Sequence, residues 1–245
     1  MSERKECKRG MRMNLLQWLY DILFPLPAVC PVCMKRQEKL MVCDACRAEA
    51  MRIRSMHGQC QCCHSFGVYS EHCHSCRDWP CYLSGNIAVW PYQGNWQQAI
   101  LDFKFHNMPW LADALANELA VMLPREYDIL VPVPLHKKRL QERGYNQSAL
   151  LAGALAVKTG IPVKDCMCRV RNTPHQTGMN REQRLHNLHG AFAVKSNTDI
   201  KGKRVIVVDD VFTTGTTIRQ CAKTLYKAGA VEILGATLAS GRGHF

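Results

Sequence analysis

Residues 205–217 read VIVVDDVFTTGTT, and this stretch decides the fold of the second half of the chain. Val205–Val208 is a short apolar run of β-branched residues, which is typical of a buried strand. Asp209 and Asp210 stand at its carboxyl end, and a Thr/Gly-rich turn follows them. The residues after the turn have the spacing of an amphipathic helix. The pattern therefore predicts a strand, a tight turn and a helix.

This strand–turn–helix unit has the composition of a phosphate-binding site. Ligands of parallel sheets bind beyond the carboxyl ends of the strands. A turn made of Thr213, Thr214, Gly215, Thr216 and Thr217 would direct N–H groups and hydroxyls at one point, where a helix N-terminus adds positive potential. Two adjacent carboxylates can accept hydrogen bonds from sugar hydroxyls. The residues together describe a ribose 5-phosphate site, and without a GK[ST] sequence the turn is not a Walker loop.

The strand–turn–helix unit belongs to a longer region, about 84–245, in which strand-like and helix-like stretches alternate. The alternation predicts an α/β domain with a mostly parallel sheet flanked by helices. The predicted strands cover 86–92, 128–135, 163–170, 191–194, 205–210 and 232–239. The predicted helices cover 96–105, 111–123, 137–158 with a break or bend near Gly144, and 217–228. A long polar segment, 171–189, has the length of a covering lid.

The first third of the chain is dominated by cysteine pairs. Each of two units carries two CxxC pairs at the same spacing, and the second unit begins 30 residues after the first. Zinc prefers four ligands in a tetrahedron, and two CxxC turns supply four thiolates. We therefore predict a double zinc module over 29–80, with structural, closed sites. The predicted ligands are Cys30, Cys33, Cys43, Cys46, Cys60, Cys63, Cys73 and Cys76.

The pairing of these cysteines is open at the level of sequence. Consecutive pairing within each unit is the simplest arrangement, but interleaved pairing between units is an alternative, as is a run of free or redox cysteines. Cys62, and nearby histidines at 64, 72 and 74, could replace a cysteine of the second unit. The remaining cysteines are interpreted as ordinary small or buried residues: Cys7, Cys81, Cys166, Cys168 and Cys221.

The N-terminal segment, 1–28, is predicted to form an amphipathic helix that ends at Pro25 and Pro27. Gln17 and Asp21 interrupt its apolar run, and no small-residue cleavage site follows, which argues against a signal peptide. No apolar stretch is long enough for a transmembrane segment. Paired CxxC motifs in such a chain favour a reducing, cytoplasmic location.

The net charge of +12 favours anionic partners, including nucleic acid and phosphorylated metabolites. No base-reading motif such as a helix-turn-helix is evident, so any DNA contact would be non-sequence-specific and salt-dependent. Single-stranded DNA is favoured if aromatic rings stack on bases. The candidate rings, which are more often core residues, are Trp90, Tyr92, Trp96, Phe103 and Trp110.

Residues 205–217 resemble the phosphoribosyl-pyrophosphate (PRPP) fingerprint of type I phosphoribosyltransferases. The resemblance implies that Asp209 and Asp210 hold the ribose hydroxyls and that the turn 213–217 holds the 5′-phosphate. It also implies that pyrophosphate and Mg²⁺ lie near the loop after another strand. The candidates for the pyrophosphate loop and lid are Pro134, Leu135, His136, Lys137, Arg139, Arg143, Arg171 and Arg184.

A cysteine-rich module before such a domain, with VPVPLHKKRLQERGYNQS at 131–148 and RVRNTPHQTGMNREQRLHNLHGAF at 169–192, resembles the ComF/GntX family. The resemblance covers nearly the whole chain after Met13. It implies a role in competence or DNA utilisation, with single-stranded DNA and the DNA-uptake machinery as partners. The matching positions are Arg139, Arg143, Gly144, Asn146, Gln147, Arg171, Thr173, Gln176, Arg184 and Asn187.

Three functions are compatible with these observations. The first is a DNA-handling protein that binds PRPP or a ribose-phosphate end. The second is a metabolic phosphoribosyltransferase that uses PRPP and Mg²⁺ on an unidentified acceptor. The third is a non-catalytic adaptor that senses PRPP. Fold alone does not decide among them.

Overall fold

A computed structural model of the chain describes residues 28–241, apart from positions 69, 70, 75, 78, 172–187 and 197. The helix predicted over 1–28 lies outside these residues, except for Ala28. Most of the lid predicted over 171–189 lies outside them too, and so does its candidate Arg184.

The described part of the chain contains one long helix near its start and then alternating strands and helices. The helices are α1 (Asp44–His57), α2 (Gly94–Phe105), α3 (Leu111–Ala120), α4 (Lys137–Arg143), α5 (Gln147–Thr159) and α6 (Thr216–Lys227). The strands are β1 (Leu83–Pro91), β2 (Ile129–Pro132), β3 (Met167–Arg169), β4 (Phe192–Val194), β5 (Arg204–Phe212) and β6 (Glu232–Ser240).

Four of these strands form a single parallel sheet in the order β1-β6-β5-β2. The connections between these parallel strands contain helices, as parallel pairing requires. The α/β phosphoribosyltransferase-like architecture predicted from the sequence is confirmed. Strand β5 lies inside the sheet between β6 and β2, so its carboxyl end opens at the centre of one sheet edge.

The two faces of the sheet carry different layers. One hydrophobic core joins Ile206 and Val208 of β5 to α2, α3 and α5, and it includes cysteines of the first unit. The other core joins Val205 and Val207 to α6 and to cysteines of the second unit. Alternate residues of a strand face opposite sides, so the apolar run Val205–Val208 of β5 contributes to both cores.

Two predicted elements differ from the structure. The strand over 163–170 is shorter, because only Met167–Arg169 forms a strand, and it pairs antiparallel with β4 in a separate two-stranded sheet. Strand β5 extends two residues beyond its predicted end, to Phe212. The break or bend predicted near Gly144 is a break: the segment 137–158 forms two helices, because Gly144 adopts a left-handed φ of 81° and Asn146 caps a new helix.

No helix in the described residues is both long and apolar enough to cross a membrane.

Candidate functional site

The two acids of β5 lie near the carboxyl end of the parallel sheet, immediately before the Thr/Gly turn. Asp209 pairs in register with Thr237 of β6, and the strand ends three residues later at Phe212. Asp210 is 8% exposed, and Asp209 is half-buried. The structure therefore brings the predicted acid pair and the predicted turn to the edge of the sheet where ligands of α/β proteins bind.

Asp210 forms an ion pair with Lys104, at the end of α2. The Lys104 Nζ lies 2.8 Å from Asp210 Oδ1, and the two side chains are only 18% and 12% exposed. Burial lowers the pKa of Lys104, but the charges of Asp210 and Asp209 outweigh it, so that its pKa lies above the usual value. A fixed ammonium group therefore stands beside the acid pair.

Asp209 belongs to a hydrogen-bond network that reaches the loop after β2. The Ser148 hydroxyl donates to Asp209 Oδ1 at 3.0 Å, and the backbone N–H of Ser148 donates to Asn146 Oδ1 at 3.0 Å. Asn146 in turn donates from Nδ2 to the Val133 carbonyl at 3.0 Å. Burial, and then the charge of Asp210, raise the pKa of Asp209 to about 7. The Asp209 carboxyl therefore holds its proton to a higher pH than an exposed aspartate does.

The Thr/Gly turn connects β5 to α6 through a left-handed glycine. Gly215 has a φ of 71° and caps α6, which begins at Thr216. The hydroxyls of Thr214 and Thr216 are buried and lie 2.9 Å apart, so they bond to each other. Thr213 and Thr217 are more exposed. Of the predicted phosphate ligands, Thr213 and Thr217 are therefore the more accessible residues.

The loop after β2 leads into the short basic helix α4. Pro134 is buried, Leu135 and His136 are half-buried, and the His136 ring accepts a hydrogen bond from the Lys138 N–H at 3.3 Å. Lys137 is exposed. The loop thus begins beside the acid pair and ends in a helix whose basic residues are near solvent.

The basic residues predicted for the pyrophosphate lie in two places. Arg139 and Arg143 of α4 are half-buried, and the Arg143 guanidinium lies 4.6 Å from the centre of the Phe105 ring. Burial lowers the pKa of Arg143, and the charge of Asp210 partly opposes this. Arg171 instead donates to the His189 carbonyl at 2.6 Å, across the segment 172–187.

A pocket of about 540 Å³ adjoins the acid pair on the α2–α4 side. Lys104 lines this pocket and also forms the ion pair with Asp210, so it lies between the pocket and the acid pair. The lining is rich in cations and amides, so it suits an anionic group. Its residues are Lys104, Phe105, Asn107, Arg139, Gln141, Glu142, Arg143, Gly144 and Tyr145.

Sequence reasoning missed two residues of this site. Lys104 and Ser148 contact the acid pair, although both lie in helices far from it along the chain. Lys104 belongs to no motif noted in the sequence, and both residues have the appearance of ordinary helix residues. Ser148 ends the stretch 131–148 singled out above, which was the one signal that could have pointed to it.

Both predicted four-cysteine groups are assembled, each from one unit, so the consecutive pairing is the observed one. The Cys30–Cys46 and Cys60–Cys76 sulfur atoms lie 3.9 Å apart in their respective groups, and Cys63–Cys73 lie 3.6 Å apart. Thiolates about 2.3 Å from a zinc ion at tetrahedral corners would be roughly 3.8 Å apart. The groups therefore fit a metal ion, and they form without Cys62.

The two units repeat the same turn geometry. Cys30 and Cys60 each accept, at the backbone carbonyl, a bond from the residue four positions on, and these residues, Met34 and His64, have φ of 57° and 58°. A backbone N–H of the second pair also donates to the first sulfur, Cys43 to Cys30 and Cys73 to Cys60. Such N–H···S bonds support thiolate ligands.

The fold and site together define a protein with a phosphoribosyltransferase-type α/β domain behind two four-cysteine groups. The family model described as "Phosphoribosyl transferase domain" matches residues 146–244. Competence protein F of Haemophilus influenzae is 31% identical over 215 residues, 84% of this chain and 87% of that protein. DNA utilization protein YhgH of Salmonella typhimurium is 31% identical over 206 residues, 78% of this chain and 87% of that protein. The chain belongs to the ComF/GntX family.

A solved structure with a related fold is glutamine PRPP amidotransferase from Bacillus subtilis, complexed with ADP and GMP. It is 24% identical, with a TM-score of 0.40, over 56% of this chain and 30% of that chain.

Proposed function

We propose that this protein acts in DNA uptake or utilisation in the cytoplasm and that its α/β domain binds PRPP or a related ribose 5-phosphate. The observation that carries the proposal is the placement of Asp209 and Asp210 directly before the Gly215 turn at the carboxyl end of β5. The names of the relatives support the wider role.

The roles within the site follow from the chemistry of its groups. The carboxylates of Asp209 and Asp210 accept hydrogen bonds from the ribose 2′- and 3′-hydroxyls. The N–H groups of the turn, with Thr213 and Thr217, bind the 5′-phosphate at the N-terminus of α6. Lys104 neutralises one carboxylate, so that a strongly anionic ligand can approach.

The pyrophosphate of PRPP fits the cationic pocket beside Lys104. Arg139 and Arg143 of α4, with Lys104, give this pocket an excess of positive charge over Glu142. Mg²⁺ would accompany the pyrophosphate, since it binds phosphate oxygens and few protein groups. Arg171 and Arg184 remain candidates for a covering segment.

The cysteine groups are proposed to hold structural zinc. Four sulfurs per group satisfy a tetrahedral ion and leave no position for water or substrate. Zinc would therefore stabilise the fold of 29–80 and take no part in a reaction.

Single-stranded DNA is proposed as a second partner, bound through charge. The net charge is +12, but Trp90 and Trp96 stack on each other at 3.9 Å and are buried with Phe103, so these three rings are core residues. Tyr92 and Trp110 are half-buried. Phe105 is 55% exposed, and the Arg143 guanidinium lies over its ring. Phe105 is therefore a better candidate for stacking on a base.

Fluorescence anisotropy with a labelled single-stranded oligonucleotide tests the DNA role. We expect affinity that falls steeply with salt, shows little sequence preference and changes when PRPP and Mg²⁺ are added. Equal affinity at low and high salt would exclude electrostatic DNA binding. PRPP binding without DNA affinity would favour the second candidate, a phosphoribosyltransferase with an unidentified acceptor.

A further inference from the structure

The second cysteine unit contacts the residues that shape the Thr/Gly turn. Trp79 follows Cys76 closely, and its backbone N–H donates to the Cys76 carbonyl at 3.2 Å. The Trp79 ring packs on the Phe212 ring, with centroids 5.9 Å apart and planes tilted by 56°. Phe212 is the last residue of β5 and is 1% exposed. A cysteine group and the start of the turn are therefore separated by a single pair of rings.

The Trp79 and Phe212 rings also lie close to Gly215 in the turn. A Cβ at this position would lie 2.6 Å from Phe212 Cζ and 3.5 Å from Trp79 Cζ2. The two rings thus fill the space on one side of the turn and leave its backbone no room to move toward them. Gly215 holds a φ of 71°, which caps α6 and determines the direction of the first N–H groups.

Hydrogen bonds attach the second unit to the sheet. The Asn86 N–H of β1 donates to the Cys62 carbonyl at 2.9 Å. The Ser240 hydroxyl, at the end of β6, donates to the His64 carbonyl at 2.7 Å, and Ser240 pairs in register with Phe212. The Tyr82 ring also stacks on Tyr226 of α6 at 4.1 Å. The second unit and the residues that follow it are therefore attached to β1, to β6 and to α6; of these, β6 lies beside β5 and α6 follows the turn.

The first unit lies against the other face of the sheet. Its cysteines pack in the core on the opposite face of the sheet, with α2, α3 and α5. Arg47 of α1 pairs there with Glu118 of α3. The two cysteine units have the same internal geometry but contact different layers of the domain.

We propose that the second cysteine group positions the Thr/Gly turn through the contact between the Trp79 and Phe212 rings. When the group holds its metal, Trp79 is fixed against Phe212, and the turn presents its N–H groups in one arrangement. Loss of the metal releases Trp79 and lowers affinity for ribose phosphates, so ligand binding depends on metal content. The inference rests on the proposed PRPP binding.

Titration calorimetry with PRPP and Mg²⁺ on full-length Trp79→Ala, Trp79→Phe and Trp110→Ala tests the ring contact. Trp110 is the matched control, because it is half-buried against the opposite core. We expect Trp79→Ala to weaken binding by at least about tenfold, since a turn that is no longer preorganised must be ordered by the ligand. Trp79→Phe, which retains an aromatic ring, should recover most of the affinity, and Trp110→Ala should bind as the wild type does.

Cys73→Ser, with its metal content measured by mass spectrometry, tests the metal dependence. Loss of one metal with weakened PRPP binding would support the proposal. Full affinity in Trp79→Ala, or in Cys73→Ser after loss of a metal, would overturn it while leaving PRPP binding intact. Equal losses in Trp79→Ala and Trp110→Ala would also overturn it. If the wild type binds no PRPP, the proposed function itself fails.

Discussion

The Lys104 ammonium lies 2.8 Å from the Asp210 carboxylate, and both groups are largely withdrawn from solvent. Lys104→Met would leave two neighbouring carboxylates without their closest cation. Breaking one side of a buried pair costs about 3 kcal/mol or more of unfolding free energy. Urea denaturation at neutral pH measures this loss.

The matched control for this pair is Lys158→Met. Lys158 lies 2.7 Å from Asp113, whose side chain is 68% exposed, so its loss should cost less than about 1 kcal/mol. Equal destabilisation by the two variants would show that the Lys104 pair has no special role beside the site.

The raised pKa of Asp209 predicts a pH dependence of stability. Burial and the charge of Asp210 raise this pKa to about 7 in the folded state, so the folded protein holds the proton more tightly than the unfolded chain. Stability of the ligand-free protein should therefore fall as the pH rises from the usual carboxyl range through that value. Denaturation between about pH 5 and 8, compared for the wild type and Asp209→Asn, isolates the contribution. Superimposable pH profiles would contradict the raised pKa.

Gly215→Ala should disturb the turn. Alanine would be strained at a φ of 71°, and its Cβ would clash with the Phe212 ring. We expect a loss of more than about 1 kcal/mol of stability together with weaker PRPP binding. Both are measurable on the same purified variant.

Gly153→Ala provides the control for this substitution. Gly153 lies within α5, and a Cβ there meets no heavy atom within 4 Å in the described part of the chain. This change should raise stability by about 0.5–1 kcal/mol and leave PRPP affinity unchanged. A neutral Gly215→Ala would mean that the turn tolerates a side chain.

Cys43→Ser should lower the metal content from two ions to one. It removes one of four sulfurs from the first group, and a site with three thiolates is open and weaker. Cys81→Ser, at an exposed cysteine that belongs to neither group, should retain both ions. Elemental analysis of the purified proteins gives the stoichiometry and identifies the metal. Unchanged metal in Cys43→Ser would assign this cysteine another role.

Local patterns predicted the parts of the structure that depend on near neighbours in the chain. The strand Val205–Val208, the turn after it and the two cysteine repeats are each encoded within a short stretch, because spacing fixes a strand, a helix or a ligand pair. The consecutive pairing of cysteines followed from the short connection within each unit.

The contacts that complete the site could not be predicted, because they join distant stretches. Ser148 bonds to Asp209 across 61 positions, and Lys104 reaches Asp210 from the end of a helix in another layer. The contact between Trp79 and Phe212 also depends on how the second unit lies against the sheet. Helical periodicity indicates which residues are buried, but it does not identify the distant residues that they contact.

The most direct test of the central claim is calorimetric titration of the full-length, metal-loaded protein with PRPP and Mg²⁺, alongside Asp210→Asn and the exposed-acid control Asp165→Asn. We expect saturable binding by the wild type, an affinity lower by at least about tenfold in a folded Asp210→Asn, and no change in Asp165→Asn. A folded wild type with both metals that binds no PRPP, or an Asp210→Asn that binds it equally well, would show that Asp210 does not form part of a PRPP site.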